Sequence, residues 1–214
     1  MNRKEHLTPA SPGTPTPAQI PEGDPPSMDR HPFIISSERS AFIIIDLQAN
    51  LIKAMDQQLL KERLVNVHKL IALAKTFNVP ILVTEQYPQG LGTTEETVQE
   101  ALPVYEPLVK DTFSAGIDAP TLEAISETGA TDLVVLGAEA HVCVLQTALD
   151  LIHRGYVCHV VEDAVISRRE EDCKAGIALA RQAGALIKST EMVCFEMLER
   201  VGTDDFKTML RWIK

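Results

Sequence analysis

Three residues combine the chemistry of a thiol hydrolase, and each comes just after an apolar, strand-like run. Asp46 closes the run AFIIID, Lys110 lies in PLVKDT, and Cys143 follows the run TDLVVLG after a short turn. A cysteine thiolate can attack a carbonyl carbon, a carboxylate can take the thiol proton, and a lysine supplies positive charge. The set predicts nucleophilic catalysis if the fold brings the three residues together.

Each of these residues also has a structural interpretation. An aspartate after a strand is often a capping residue, and a lysine is usually a solvated surface charge. A free cysteine is most often a small buried hydrophobe, which is our interpretation of Cys158 and Cys194, whereas Cys173 is assigned no role. Cys143 differs because it lies near a helix start, where free N–H groups and the helix dipole favour a thiolate and can bind an oxyanion.

The elements that must position these residues alternate along the chain from Phe33 onward. Strands are expected at 41–46, 79–85, 107–112, 131–137, 156–163 and 185–189, and helices at 59–77, 121–129, 141–155 and 169–184, with two short helices in 190–213. Strands that are apolar on both faces and separated by helices indicate a parallel sheet covered on both sides. We therefore predict an α/β fold, a single-domain three-layer sandwich of about six parallel strands, with its site beyond the carboxyl ends of the strands.

Composition narrows the class of protein. The 214 residues carry a formal net charge of −10, which disfavours binding to nucleic acid because such binding needs a basic surface. No apolar run approaches the ~18–20 residues of a membrane span. The four cysteines form no C-x-x-C pair, so no zinc site is expected. No signal-peptide pattern precedes them, so no disulfide framework is expected either. We expect a cytoplasmic protein with reduced thiols that binds neither nucleic acid nor a membrane.

The first 32 residues differ from the rest because they contain eight of the thirteen prolines and no apolar period. This composition predicts a disordered, proline-rich extension at 1–32, followed by the folded domain at 33–214. A dispensable tail and a docking ligand for a partner protein are both compatible with it.

Four segments together resemble a known family. They are IIIDLQ around Asp46, VTEQYPQGLGTT at 83–94, KDTFSA around Lys110, and GAEAHVCVLQTALDLIHRGYVCHVVEDAVISR at 137–168. Their types and order are similar to those of the isochorismatase-like cysteine hydrolases, over about residues 33–212. TEQYPQGLG and HVCVLQTALDL are most similar to the isochorismatase-domain-containing branch.

The resemblance implies a strand order of 3-2-1-4-5-6 and an Asp–Lys–Cys triad. On this pattern Cys143 attacks an amide carbonyl or a similar electrophile and forms a thioester. Asp46 takes the thiol proton and later activates water, while Lys110 holds the carboxylate and stabilises the thiolate. The resemblance further implies a homo-oligomer and a reaction that needs no cofactor.

The same resemblance places further residues around a small-molecule substrate. Contacts to the substrate or its oxyanion are expected from Gln48, Gln86, Phe113, Ala138, Glu139, His141 and Val142. The backbone N–H groups of Val142 and Cys143 would form the oxyanion hole, and a non-proline cis peptide is expected at Ala138–Glu139. We expect His141 to line the site rather than act as the base, because residues two apart on a helix diverge by roughly 200°.

The sequence also departs from the family pattern. Ala140 stands where many relatives have threonine, and Leu51 stands where many have phenylalanine, so the choice of substrate is open. Nicotinamidases hold a metal through a D-x-H pattern that is absent from residues 46–90, so no metal is expected. True isochorismatases lack the nucleophilic cysteine, so Cys143 argues against isochorismate as the substrate.

The leading hypothesis is a cofactor-independent cysteine hydrolase that cleaves a C–N bond of a small amide or carbamoyl compound. A catalytically idle binding or scaffolding protein with the same fold is the alternative from a different class. Hydrolysis of nucleic acid is a third hypothesis, which the acidic charge balance disfavours.

Overall fold

The computed structural model describes residues 30–213, and a six-stranded parallel sheet forms its centre. The strands are β1 (Ser40–Ile45), β2 (Ile81–Gln86), β3 (Leu108–Lys110), β4 (Asp132–Ala138), β5 (Val157–Ile166) and β6 (Leu186–Lys188). Their order across the sheet is β3-β2-β1-β4-β5-β6, and all neighbours are parallel. The strand order reverses between β1 and β4, which makes their carboxyl ends the topological switch point.

Helices connect the strands and cover both faces of the sheet. They are α1 (Ala49–Ile52), α2 (Gln57–Phe77), α3 (Pro88–Leu91), α4 (Glu96–Ala101), α5 (Ala119–Glu127), α6 (Leu145–His153), α7 (Glu170–Gln182), α8 (Thr190–Leu198) and α9 (Asp204–Ile213). Side-chain caps fix several helix starts. Asp56 accepts a hydrogen bond from the N–H of Leu59, and Asp118 accepts one from that of Thr121, as N-cap aspartates commonly do.

The sheet separates two hydrophobic layers. All six residues of β1 are buried, and alternate side chains of the strand enter opposite layers. Phe42 and Ile44 pack with residues of α2 and α8, whereas Ile43 and Ile45 pack with residues of α5 and α6. A strand buried on both faces needs a continuous apolar run, which explains why AFIII lacks the polar alternation of a half-exposed strand.

A glycine allows β4 to approach β1 closely at the switch point. Gly137 has φ +120°, and a Cβ at this position would lie 2.0 Å from the carbonyl oxygen of Ile45. No other residue fits such a gap or favours this backbone conformation. Gly137 therefore sets the approach of the two strand ends that carry Asp46 and the turn containing Cys143.

The structure confirms the predicted fold class and strand order, with differences at the boundaries. β2 begins at Ile81, after Pro80, and β5 continues to Ile166 because its pairing with β4 shifts register between Val135 and Gly137. The short helices α1, α3 and α4 were not predicted, since four to six residues carry too little periodicity to show in the sequence. The predicted extension at 1–32 lies, up to residue 29, outside the described residues.

Candidate active site

The three residues predicted to do chemistry lie at the carboxyl edge of the sheet. Asp46 follows β1 directly, with φ +46°, and Lys110 is the last residue of β3. Cys143 lies in one turn of π-helix, Ala140–Val144, which joins β4 to α6. The helix expected at 141–155 thus begins with a wider turn, a feature often found at functional sites.

Asp46 and Lys110 form a wholly buried ion pair. Lys110 Nζ lies 2.7 Å from Asp46 Oδ2, and both side chains are 0% exposed. Lys110 also donates to Gln86 Oε1 at 2.9 Å and to the carbonyl oxygen of Thr112 at 3.1 Å. Buried charges are tolerated only with such partners, so the pair and its hydrogen bonds form one unit.

Thr84 belongs to the same unit and was missed by sequence reasoning. Its hydroxyl donates to Asp46 Oδ1 at 2.6 Å, so Thr84 and Lys110 hold the two oxygens of one carboxylate. Thr84 is paired in register with Ile45, the residue before Asp46. A polar residue within the apolar run of β2 was the available signal, but only the pairing register shows what it faces.

Cys143 is next to this pair, and its surroundings act against ionisation of the thiol. Burial and the negative charge of Asp46 raise the pKa of Cys143 to about 12. The charge of Lys110 and a backbone hydrogen bond at Glu139 act in the opposite direction but are weaker. Burial thus opposes the thiolate that the helix N-terminus was expected to favour, since only 6% of Cys143 is exposed.

Gln48 and Gln86 are bound to each other and to the protein. The Gln48 amide donates to the carbonyl oxygens of Gln86 and Gly92, at 3.0 and 2.6 Å, and its Oε1 accepts from the N–H of Gln86 at 2.7 Å. The side chain of Gln86 bridges Lys110 and the carbonyl oxygen of Asp111. Gln86 thus holds Lys110 of the ion pair directly, and Gln48 holds Gln86. That either residue contacts the substrate remains a prediction.

The bend before Cys143 is fixed by a buried carboxylate. The peptide bond between Ala138 and Glu139 is cis. Glu139 Oε1 accepts from the backbone N–H and from Nε of Arg168, both at 3.0 Å. Glu139 is nearly buried, whereas the side chain of Arg168 is half-exposed at the end of β5. Sequence reasoning missed Arg168, and the structure shows Glu139 bonded to it.

The remaining predicted residues differ in how they face the site. The N–H of Val142 donates to the carbonyl oxygen of Glu139 at 3.0 Å, so the expectation of a free oxyanion donor there needs correction. His141 Nδ1 lies 3.0 Å from Ser167 Oγ, at the end of β5. Phe113 is 58% exposed, and its carbonyl oxygen accepts from Lys110 Nζ at 3.3 Å.

Within residues 30–213, no three His, Cys, Asp or Glu side chains are grouped so that they could hold a metal ion. Over the same residues, no helix combines the length and apolar character that a membrane span requires.

The sheet and its carboxyl-edge site define an α/β protein of the doubly wound class. The family model of the isochorismatase domain matches residues 40–192, and the chain belongs to this family. Isochorismatase domain-containing protein 2 of Macaca fascicularis is 37% identical over 147 residues, which cover 68% of this chain and 70% of that protein.

Solved structures agree with this assignment. The MAR1 ribonuclease of Caenorhabditis elegans is similar with a TM-score of 0.77 and 34% identity, covering 84% of this chain and 91% of that one. The YcaC gene product of Escherichia coli, described as an octameric hydrolase of unknown specificity, has a TM-score of 0.78 and 23% identity, covering 86% and 92% of the two chains. The fold is thus that of the isochorismatase-family hydrolases.

Proposed function

We propose that the protein is a cysteine hydrolase that cleaves a C–N bond of a small amide or carbamoyl compound. The observation that carries the proposal is the buried Lys110–Asp46 pair beside the buried thiol of Cys143, whose pKa is raised by burial and by Asp46. A neutral thiol next to a fixed carboxylate is the starting state for general-base activation of a nucleophile.

In the first step, the thiol proton of Cys143 passes to Asp46 and the sulfur attacks the carbonyl carbon of the substrate. The π electrons of the carbonyl move to its oxygen, which becomes an oxyanion. We assign the amide of Cys143 as its donor, since that of Val142 already bonds Glu139. Preorganised donors stabilise such charge without reorganisation during the reaction.

In the second step, the C–N bond breaks and the proton held by Asp46 passes to the leaving nitrogen. Ammonia or an amine departs, and Cys143 holds the acyl group as a thioester. Asp46 then removes a proton from water, whose oxygen attacks the thioester, and the departing sulfur recovers that proton. Every atom balances with amide and water as the only reactants, in keeping with the expected lack of a cofactor.

Lys110 makes this sequence of proton transfers feasible. Its charge is paired with that of Asp46, and its attraction for the sulfur lowers the pKa of Cys143. Thr84 and Gln86 hold the two charged groups in place. We propose that Phe113 and His141 line the entrance for a small substrate, as the resemblance implies.

Ammonia release from a panel of small amides and carbamoyl amines tests the proposal. Cys143→Ala should abolish release, and Cys143→Ser should lower it at least about a hundredfold, since these variants lack the thiolate nucleophile. Cys173→Ser is the matched control and should keep full activity, because Cys173 lies outside the group formed by Asp46, Lys110 and their hydrogen-bond partners. Turnover that persists in Cys143→Ala would overturn the proposal.

RNA hydrolysis is the second candidate, because one similar structure is named a ribonuclease. The net charge of −10 disfavours it. Incubating labelled RNA with the same variants separates the two candidates. RNA cleavage that depends on Asp46 or Cys143, without ammonia release from any amide, would favour the nuclease. No Cys143-dependent turnover of either substrate class would favour the idle binding protein.

We also propose that the protein self-associates and is cytoplasmic. Edge strand β3 and the segment after it expose Val109, Phe113 and Ile117, the kind of surface that a second copy can cover. The four cysteines are free, in keeping with a reducing compartment. Light scattering of the purified chain and imaging of a tagged chain test these proposals. A monomer at all concentrations, or a secreted chain, would overturn the respective one.

A further inference from the structure

A four-residue segment after α3 is hydrogen-bonded to the chain that follows Asp46. We call residues 92–95 the strap. The N–H of Ala49 donates to the carbonyl oxygen of Thr93 at 2.9 Å, and the N–H of Glu95 donates to that of Leu47 at 2.8 Å. Between these bonds, Gln48 and Thr94 form an antiparallel bridge. The strap therefore supports the backbone of Gln48, whose side chain in turn holds Gln86.

A buried carboxylate that the catalytic proposal does not use fixes the strap from the other side. Glu85 is 2% exposed, and its Oε1 accepts from the N–H and the hydroxyl of Thr94, at 2.6 and 2.9 Å. The hydroxyl of Tyr105 donates to the same oxygen. Three donors therefore converge on one carboxylate oxygen, which joins the strap to Tyr105 and to β2.

The position of Glu85 in β2 separates it from the ion pair. Side chains alternate along a strand, so Thr84 and Gln86 point to one face and Glu85 to the other. Thr84 contacts Asp46 and Gln86 contacts Lys110, whereas Glu85 contacts Thr94 of the strap. Three consecutive residues of β2 thus contact Asp46, the strap and Lys110, in that order.

We propose that Glu85 is a positioning residue that anchors the strap, and through Gln48 and Gln86 keeps Lys110 aligned on Asp46. A continuous series of hydrogen bonds joins Glu85 with Thr94, the strap with Gln48, Gln48 with Gln86, and Gln86 with Lys110. The proposal rests on the proposed function only in giving this alignment a catalytic purpose.

The chemistry of the anchor explains why a carboxylate is used. The hydroxyl of Tyr105 is protonated at neutral pH and donates to Glu85, and burial and this hydrogen bond raise its pKa further. Thr94 supplies two donors from one residue, which fixes both its backbone and its rotamer. A neutral amide at position 85 would accept from fewer donors and would place an N–H₂ group against them.

Two measurements that need no substrate test the role of Glu85. Glu85→Gln should speed hydrogen exchange of the strap amides about tenfold, because hydrogen bonds to a charged acceptor are lost. It should also speed iodoacetamide alkylation of Cys143 at least about threefold, since burial is the main cause of the raised pKa of this thiol. Tyr105→Phe keeps the carboxylate and should show smaller changes in the same direction.

Glu95→Gln is the matched control, because Glu95 lies in the strap but is only partly buried and its side chain caps α4. It should leave both the strap exchange and the Cys143 alkylation rate unchanged. If Glu85→Gln fails to fold, the same two measurements on Tyr105→Phe test the proposal instead. Wild-type strap exchange, or faster exchange with unchanged Cys143 reactivity, would overturn the proposal. Loss of the amide-cleavage hypothesis in the ammonia assay would leave both measurements interpretable.

Discussion

Lys110 Nζ lies 2.7 Å from Asp46 Oδ2, and neither side chain has any exposed surface. Asp46 directly follows β1 and Lys110 ends β3; because these strands are not adjacent in the sheet, the pair spans β2. It is bridged there by Thr84 and Gln86, both from β2. The charge pair is thus part of the sheet edge, and removing either partner affects folding as well as chemistry.

Replacing Lys110 with methionine should lower the free energy of unfolding by about 3–5 kcal/mol at pH 7, because it leaves the buried Asp46 charge unpaired. The double variant Asp46→Asn with Lys110→Met should lose less than the sum of the single variants. Urea unfolding followed by circular dichroism measures both. Lys207→Met, which breaks an exposed pair with Asp204, should change stability by no more than about 0.5 kcal/mol. Equal losses in the two lysine variants would contradict this account.

Replacing Thr84 with valine tests the second hold on the carboxylate. Valine keeps the volume but removes the hydroxyl that donates to Asp46 Oδ1 at 2.6 Å. Loss of one hydrogen bond to a buried charge should cost about 1.5–3 kcal/mol of stability, and turnover should fall with it. Thr84→Ser keeps the donor and should restore most of the turnover, measured as ammonia release. A valine variant with unchanged turnover would show that Lys110 alone positions the carboxylate.

Most of the fold, and the placement of Asp46, Lys110 and Cys143 at one edge of the sheet, could be predicted, because apolar runs and strand ends are local features of the sequence. Asp46 and Lys110 follow from the rule that sites form at the carboxyl ends of parallel strands. Thr84 could not be predicted in its role, since its contact depends on the register between β1 and β2. Pairing across a sheet is not encoded in either strand separately.

The state of Cys143 shows a second limit. A helix start predicts a depressed thiol pKa only if the thiol is exposed to the N–H groups and to solvent. Here a π-helical turn places it in the second hydrophobic layer, with Asp46 beside it. Burial and the negative charge of Asp46 outweigh the effect of the helix dipole on the thiol pKa. Neither burial nor the position of Asp46 can be read from the spacing of residues along the chain.

Replacing Gly176 with alanine tests how α7 holds the turn that carries Cys143. A Cβ at this position would lie 2.6 Å from the Cα of His141 and 2.8 Å from the carbonyl oxygen of Ala140. The backbone must move, so we expect a loss of about 1–3 kcal/mol despite the better helix propensity of alanine. The rate of Cys143 alkylation, measured by mass spectrometry, should then differ from that of the wild-type protein.

Gly184→Ala is the control for this substitution. Gly184 follows the same helix with φ +105°, and no atom lies within 4 Å of the added Cβ. It should lose stability through backbone strain alone, with unchanged reactivity of Cys143. Equal reactivity changes in the two variants would show that α7 does not position the turn.

The pH dependence of alkylation tests the protonation state of Cys143. Since burial and Asp46 raise its pKa to about 12, the thiolate fraction in the folded protein is small at neutral pH. The rate constant with iodoacetamide should therefore rise about tenfold per pH unit from about pH 7 to 10, without a plateau. In the urea-unfolded chain the same cysteine should level off above about pH 9, near the ordinary thiol pKa. A plateau below pH 8 in the folded protein would mean that a thiolate exists before substrate binds, and that Asp46 is not needed to deprotonate the nucleophile.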